Sequence, residues 1–178
     1  MCIRDSLVRV LTSTQGRVGA ARRSGCGAVL DEFAALDRKR VWLATTDGDS
    51  TVPERWLSEQ MRRQSAGADA WLGTVAMDLP SGHLDKTVHL WQRRYARDHR
   101  PVHGASMGVT GHAYLLAGGF PAVASGEDRA LTRALNAMGF SVIHDHRTPV
   151  LTSARRDPRA PSGVGHDLVV MGTESGCG

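Results

Sequence analysis

Val41-Trp42-Leu43-Ala44-Thr45-Thr46-Asp47-Gly48-Asp49-Ser50 is the stretch that most narrows the folds open to this chain. A short apolar run, bounded by Arg40 on one side and the turn dipeptide Asp47-Gly48 on the other, reads as a buried strand. Its C-terminal end delivers two carboxylates, Asp47 and Asp49, into a turn. In open α/β sheets, ligands sit outside the carboxyl ends of strands. Two carboxylates one residue apart suit a hard divalent cation, because Mg²⁺ is commonly held by one or two carboxylates together with substrate phosphates. A hairpin turn is the plain alternative, since Asp-Gly is a strong turn signal. An EF-hand is excluded. With Asp47 in the first position, the sixth is Val52 rather than Gly and the twelfth is Ser58 rather than Glu.

Strands and helices alternate around this stretch. Residues 7–12 read as a strand and 17–39 as a helix, its apolar stripe supplied by Val18, Ala21, Ala28, Val29, Phe33 and Leu36. Pro53 fits the first position of a second helix, carried by Trp56, Leu57, Gln60, Met61 and Gln64. Residues 70–77 read as a strand, and 84–97 as a helix with Arg93, Arg94 and Arg97 on a solvated face. Small residues fill 102–109, where backbone can approach a ligand closely. Residues 114–117 form a short helical turn ended by Gly118-Gly119-Phe120-Pro121. Ser125-Gly126-Glu127-Asp128 then opens a helix through Met138, which Gly139 ends as a left-handed cap would. Acidic residues in the first turn favour the helix dipole, so Glu127 and Asp128 also make an ordinary helix start. Residues 140–144 and 149–153 read as two strands, and Arg155, Arg156 and Arg159 follow in a loop. Such alternation predicts a parallel α/β architecture.

A chain of 178 residues suits one domain. Its formal charge of +4 and pI near 9.4 fit a phosphate-bearing ligand, a nucleic acid or an anionic membrane surface equally well. No run approaches the length of a membrane-spanning helix, and the start lacks a secretory apolar region. Cys2, Cys26 and Cys177 are odd in number and far apart, so a reducing cytoplasm is the expected setting.

Three stretches in order resemble family-two glycosyltransferases of the GT-A fold. They are Val18-Gly19-Ala20-Ala21-Arg22-Arg23-Ser24-Gly25; then Thr45 to Ser50 with Val52-Pro53 and Trp56; then Gly118-Gly119-Phe120-Pro121 with Gly126-Glu127-Asp128, Leu131 and Leu135. The resemblance runs over residues 7–163. It implies an α/β, GT-A-like, mixed but mainly parallel sheet flanked by helices and missing its first strands, which hold the nucleobase in the family. Residues 1–6 resemble translated sequencing-adapter sequence and are expected to be a non-native leader, and 164–178 a weakly ordered tail.

The resemblance also implies roles. Asp47 and Asp49 match the family's DXD pair, which binds a divalent metal (Mg²⁺ or Mn²⁺) and the ribose–diphosphate of a nucleotide sugar. Asp49 is the expected direct ligand. Asp128 matches the base of inverting members, deprotonating an acceptor hydroxyl, with Glu127 supporting it. Retaining relatives share the fold and the DXD pair. Arg22 and Arg23 are candidates for facing phosphate, Arg155 and Arg156 for gripping diphosphate or a phosphorylated acceptor, and His144 or His146 for a further metal ligand, with a structural role as the plain alternative for each. The implied partners are a nucleotide-diphosphate sugar, an acceptor hydroxyl and, through the basic surface, the periphery of a membrane.

Two other classes compete. A nucleotidyltransferase would share the architecture but normally opens on a Gly-rich phosphate loop. A basic module binding nucleic acid is disfavoured, because the basic residues are spread along the chain and aromatic content is 5%.

Overall fold

The computed structural model describes residues 9–78, 93, 95, 100 and 102–153. In chain order the elements are α1 (Val18–Glu32), β1 (Trp42–Thr45), β2 (Ser50–Thr51), α2 (Trp56–Ser65), β3 (Ala70–Asp78), a 3₁₀ turn (Gly104–Ser106), β4 (Met107–Thr110), α3 (Gly111–Leu116), α4 (Glu127–Ala137) and β5 (Val142–Ser153). The strands form one sheet in the order β1-β4-β3-β5-β2. The expected α/β class holds, but the sheet is mixed rather than mainly parallel. Among the described residues only β3 and β5 pair in parallel; β1 with β4, β3 with β4, and β2 with β5 are antiparallel.

The cause is where β4 starts. Met107, its first residue, lies opposite Thr45, the last of β1. A strand that begins where its neighbour ends must run back along it. The pairings therefore make β1, β3 and β5 run one way, with β4 inserted against the direction of two of them. The carboxyl end of β1 and the 3₁₀ turn before β4 therefore lie at the same end of the β1–β4 pair, beside Leu72 and Gly73 of β3.

Period-two burial builds a core on each face. Leu43, Ala70, Leu72, Met107 and Val109 face Cys26 and Leu30 of α1, Ala113 and Tyr114 of α3, and Leu131 and Leu135 of α4. On the other face Trp71, Val75, Met77 and Val150 pack with Trp56 of α2. The Trp56 and Trp71 rings meet edge to face at 6.4 Å and 82°, a favoured aromatic geometry. Beside them the Trp42 indole donates to Gln60 Oε1 at 2.8 Å.

Several boundaries differ from the sequence reading. Residues 9–12 have no regular secondary structure, where a strand was expected. The helix expected to reach Lys39 stops at Glu32, because the Arg38 guanidinium folds back onto the carbonyls of Leu30 and Phe33 and caps it. Pro53 heads a turn rather than α2, its carbonyl accepting from Trp56 N–H at 2.9 Å. The short turn expected at 114–117 is a six-residue helix that Thr110 caps through Ala113 N–H. The two strands expected at 140–144 and 149–153 are one. Gly73 pairs with Asp145 and Val75 with Val150, so β5 carries extra residues in a bulge that interrupted the sequence pattern. The expected helix at 84–97 and the loop with Arg155, Arg156 and Arg159 lie outside the described residues.

Gly139 ends α4 as the sequence predicted, at φ 76°. Gly139 N–H donates to Asn136 O and Phe140 N–H to Leu135 O, both at 3.1 Å, the two bonds of a Schellman cap. A left-handed residue with a Cβ costs about 1–2 kcal/mol. Gly139→Ala is therefore expected to lower stability by about that amount, read as a shift in the urea midpoint at constant slope.

Candidate active site

The site begins with the end of β1. Asp47 and Asp49 lie just beyond Thr45, with the turn at Gly48 and Asp49 leading into β2. This is the strand-end position that the sequence assigned to them. Asp47 is half-buried and Asp49 exposed. Their carboxylates supply hard oxygen donors of the kind that Mg²⁺ or Mn²⁺ takes. Among the described residues, no group of three His, Cys, Asp or Glu side chains gathers to hold a metal ion.

The second part is the start of α4. Gly126, at φ 76°, turns the chain into the helix, and Glu127 and Asp128 occupy its first turn. Glu127 is buried, its side chain 7% exposed. A carboxylate in such a place needs a partner, and Arg22 of α1 supplies it. The same guanidinium reaches Asp47: one terminal nitrogen donates to Glu127 Oε1 and the other to Asp47 Oδ1. Three segments far apart in sequence thus meet through one arginine, and Asp47 and the Glu127-Asp128 pair share one end of the sheet.

Asp128 is held from another side. Its Oδ2 accepts from Gly104 N–H at 2.9 Å and its Oδ1 from Arg129 N–H at 2.7 Å. Gly104 O accepts in turn from Thr45 Oγ1 at 2.8 Å. A second chain of bonds therefore links the end of β1 to Asp128. The small residues expected to admit a close approach do so at Gly104, but the group that approaches is Arg22: a Cβ on Gly104 would overlap its guanidinium.

The structure also places Arg23, His103, His144 and His146. Arg23 donates to the carbonyls of Gly118 and Phe120, both at 3.2 Å, and so ties α1 to the loop after α3. His103 stacks obliquely on Tyr95 at 5.3 Å, next to the 3₁₀ turn. His144 is half-buried opposite Leu72, while His146 is exposed beyond the Gly73–Asp145 pair, where the register shifts. Plain strand alternation would put both histidines on one face, but it breaks at this register shift. Arg155 and Arg156 lie outside the described residues.

Beneath Arg22 the core holds two titratable groups. Burial raises the Cys26 thiol above its ordinary value, and burial pushes the Tyr114 hydroxyl up to about 12. Tyr114 Oη accepts from Phe120 N–H at 3.2 Å, which fixes the Phe120 ring 5.9 Å from the Arg22 guanidinium carbon.

A charged network that the sequence did not reveal joins α2 to β5. Asp145, its side chain 2% exposed, accepts from Arg63 at 3.1 Å and from Arg147 at 2.6 Å. Glu59 pairs with Arg62 at 2.6 Å, with Arg63 at 3.5 Å and also with Arg147. Burial alone would raise the Asp145 carboxyl, but the Arg147 and Arg63 hydrogen bonds hold it well below the usual carboxylate range. In sequence Asp145 stands between the two histidines, and its partner Arg63 is 82 residues away.

No family model, no curated protein and no solved structure matches this chain.

Proposed function

We propose that this chain acts as a nucleotide-sugar-dependent glycosyltransferase of the family-two, GT-A type, which moves a sugar from a nucleotide-diphosphate donor to an acceptor hydroxyl. The observation that carries the reading is the meeting, through Arg22, of the Asp47 turn with the Glu127-Asp128 helix start. Donor and acceptor must come together for transfer, and holding them there supplies much of the rate.

In this reading Asp49, with Asp47 beside it, would hold a divalent metal, the remaining donors coming from the diphosphate. When bound, the metal would neutralise charge on the leaving nucleoside diphosphate. Asp128 takes the proton of the acceptor hydroxyl as its oxygen bonds to the anomeric carbon and the bond to the diphosphate oxygen breaks. The Gly104 and Arg129 N–H groups orient that carboxylate. Glu127, paired with Arg22, shapes the helix start behind it. Inversion at the anomeric carbon follows from a single displacement with Asp128 as base.

The test is nucleoside-diphosphate release from a panel of UDP-, GDP- and dTDP-sugars, with Mn²⁺ or with EDTA. At least one donor is expected to give metal-dependent release. Release from none of them, or release indifferent to EDTA, would count against the reading.

A further inference from the structure

The sequence resemblance made Arg22 a candidate for gripping the donor diphosphate. Its surroundings favour another role. The side chain is 11% exposed, and both terminal nitrogens are engaged by protein carboxylates, Asp47 from one element and Glu127 from another. Gly104 seats the same group, with no room for a Cβ, and also donates its N–H to Asp128 at 2.9 Å. We infer that Arg22 is a positioning residue: seated on Gly104, its guanidinium fixes the carboxylate turn after β1 relative to the helix start that carries Asp128. The inference rests on the glycosyltransferase reading above and deepens it.

The chemistry requires arginine. A guanidinium is a rigid planar fork that can hold two carboxylates in fixed directions. A lysine ammonium is a point charge on a flexible stem, so it keeps the charge and loses the geometry. A displacement of about 1 Å between reacting groups can cost roughly 10²-fold in rate. A residue that grips diphosphate would act instead on donor affinity.

The experiment compares the full chain with its Arg22→Lys and Gly104→Ala variants. Gly104→Ala leaves the arginine in place and drives its guanidinium off the seat. Binding of Mn²⁺ with inorganic pyrophosphate is measured by calorimetry, and kcat and KM by nucleoside-diphosphate release from the donor the wild type uses. Both variants are expected to keep pyrophosphate affinity and KM within about threefold while kcat falls roughly 10²-fold. A tenfold or greater loss of pyrophosphate affinity in Arg22→Lys would overturn the inference and make Arg22 a phosphate ligand. Unchanged kcat in both variants would also overturn it. If Arg22→Lys fails to fold by circular dichroism, Gly104→Ala decides alone. Loss of fold in both makes Arg22 a scaffold residue and overturns the inference. A wild-type chain that binds no Mn²⁺–pyrophosphate and turns over no donor overturns the glycosyltransferase reading itself, an outcome distinct from all the others.

Discussion

Asp128→Asn is expected to lower turnover by about 10²–10⁴-fold while donor binding survives, the usual worth of a general base such as the one proposed at Asp128. Asparagine keeps the size of the side chain, and its one amide oxygen can still accept from Gly104 N–H, though not from Arg129 N–H as well. What it loses is the ability to take a proton at neutral pH. Asp49→Ala should behave differently. It removes an expected metal ligand from the turn and should abolish metal-dependent donor binding, not only the chemical step. Initial-rate kinetics joined to a direct binding measurement separate the two outcomes. Equal loss of donor affinity in both variants would make Asp128 a binding or structural residue. Unchanged turnover in Asp128→Asn would place the base elsewhere, or make the enzyme a retaining one.

The second large effect concerns stability. Asp145 is buried between Arg63 and Arg147, and Glu59 shares Arg147. Breaking a buried pair costs about 3–5 kcal/mol, because the abandoned charges are left unpaired. Arg63 and Arg147 are 30% and 54% exposed and can recover some hydration, which argues for the lower end of that range. Asp145→Ala is therefore expected to lower stability by about 3 kcal/mol, or the midpoint by roughly 6–12 °C for a chain of this size.

The pH dependence follows in sign. The folded carboxyl of Asp145 sits below its unfolded value of about 3.9. Its contribution is thus fully present above that value and is lost as pH falls toward the folded one. Wild type should lose stability below about pH 4, and Asp145→Asn should show a shallower acid limb. Calorimetric scans from pH 7 to about pH 2 check both points. An unchanged midpoint in Asp145→Ala would mean that the network adds nothing net to the fold.

The parts of the fold that were legible in the sequence are those written in local pattern. The apolar run before Asp47, the strand at 70–77, the helix opened by Glu127 and the Gly139 cap all follow from periodicity and turn chemistry within a dozen residues. Strand direction was not legible. Alternating strands and helices suggested parallel pairing, but β4 enters from the end of β1 and runs against it. Nothing local to 107–110 records which end of the sheet a preceding turn lies at.

The site divides in the same way. Asp47, Asp49, Glu127 and Asp128 stand out because acidic residues at a strand end and a helix start are visible as such. Their meeting depends on Arg22, which is 25 residues from one partner and 105 from the other. The Thr45–Gly104 link was not legible because its Gly104 side is a backbone carbonyl and N–H, which leave no mark in side-chain pattern. The Glu59–Arg63–Asp145–Arg147 network was missed for a related reason. Its links across 82 and 88 residues have no period, and its charges read one at a time as solvated surface.

In the proposed function the turn bearing Asp47 and Asp49 holds a metal together with a diphosphate. Electron paramagnetic resonance tests it most directly, because the free Mn²⁺ signal disappears when the protein takes up the ion. The measurement is a Mn²⁺ titration of wild type and Asp49→Ala, each with and without inorganic pyrophosphate. Pyrophosphate is expected to strengthen Mn²⁺ uptake by the wild type, and Asp49→Ala to weaken the joint binding by at least about tenfold, near 1.4 kcal/mol. Identical titrations for the two proteins would contradict it.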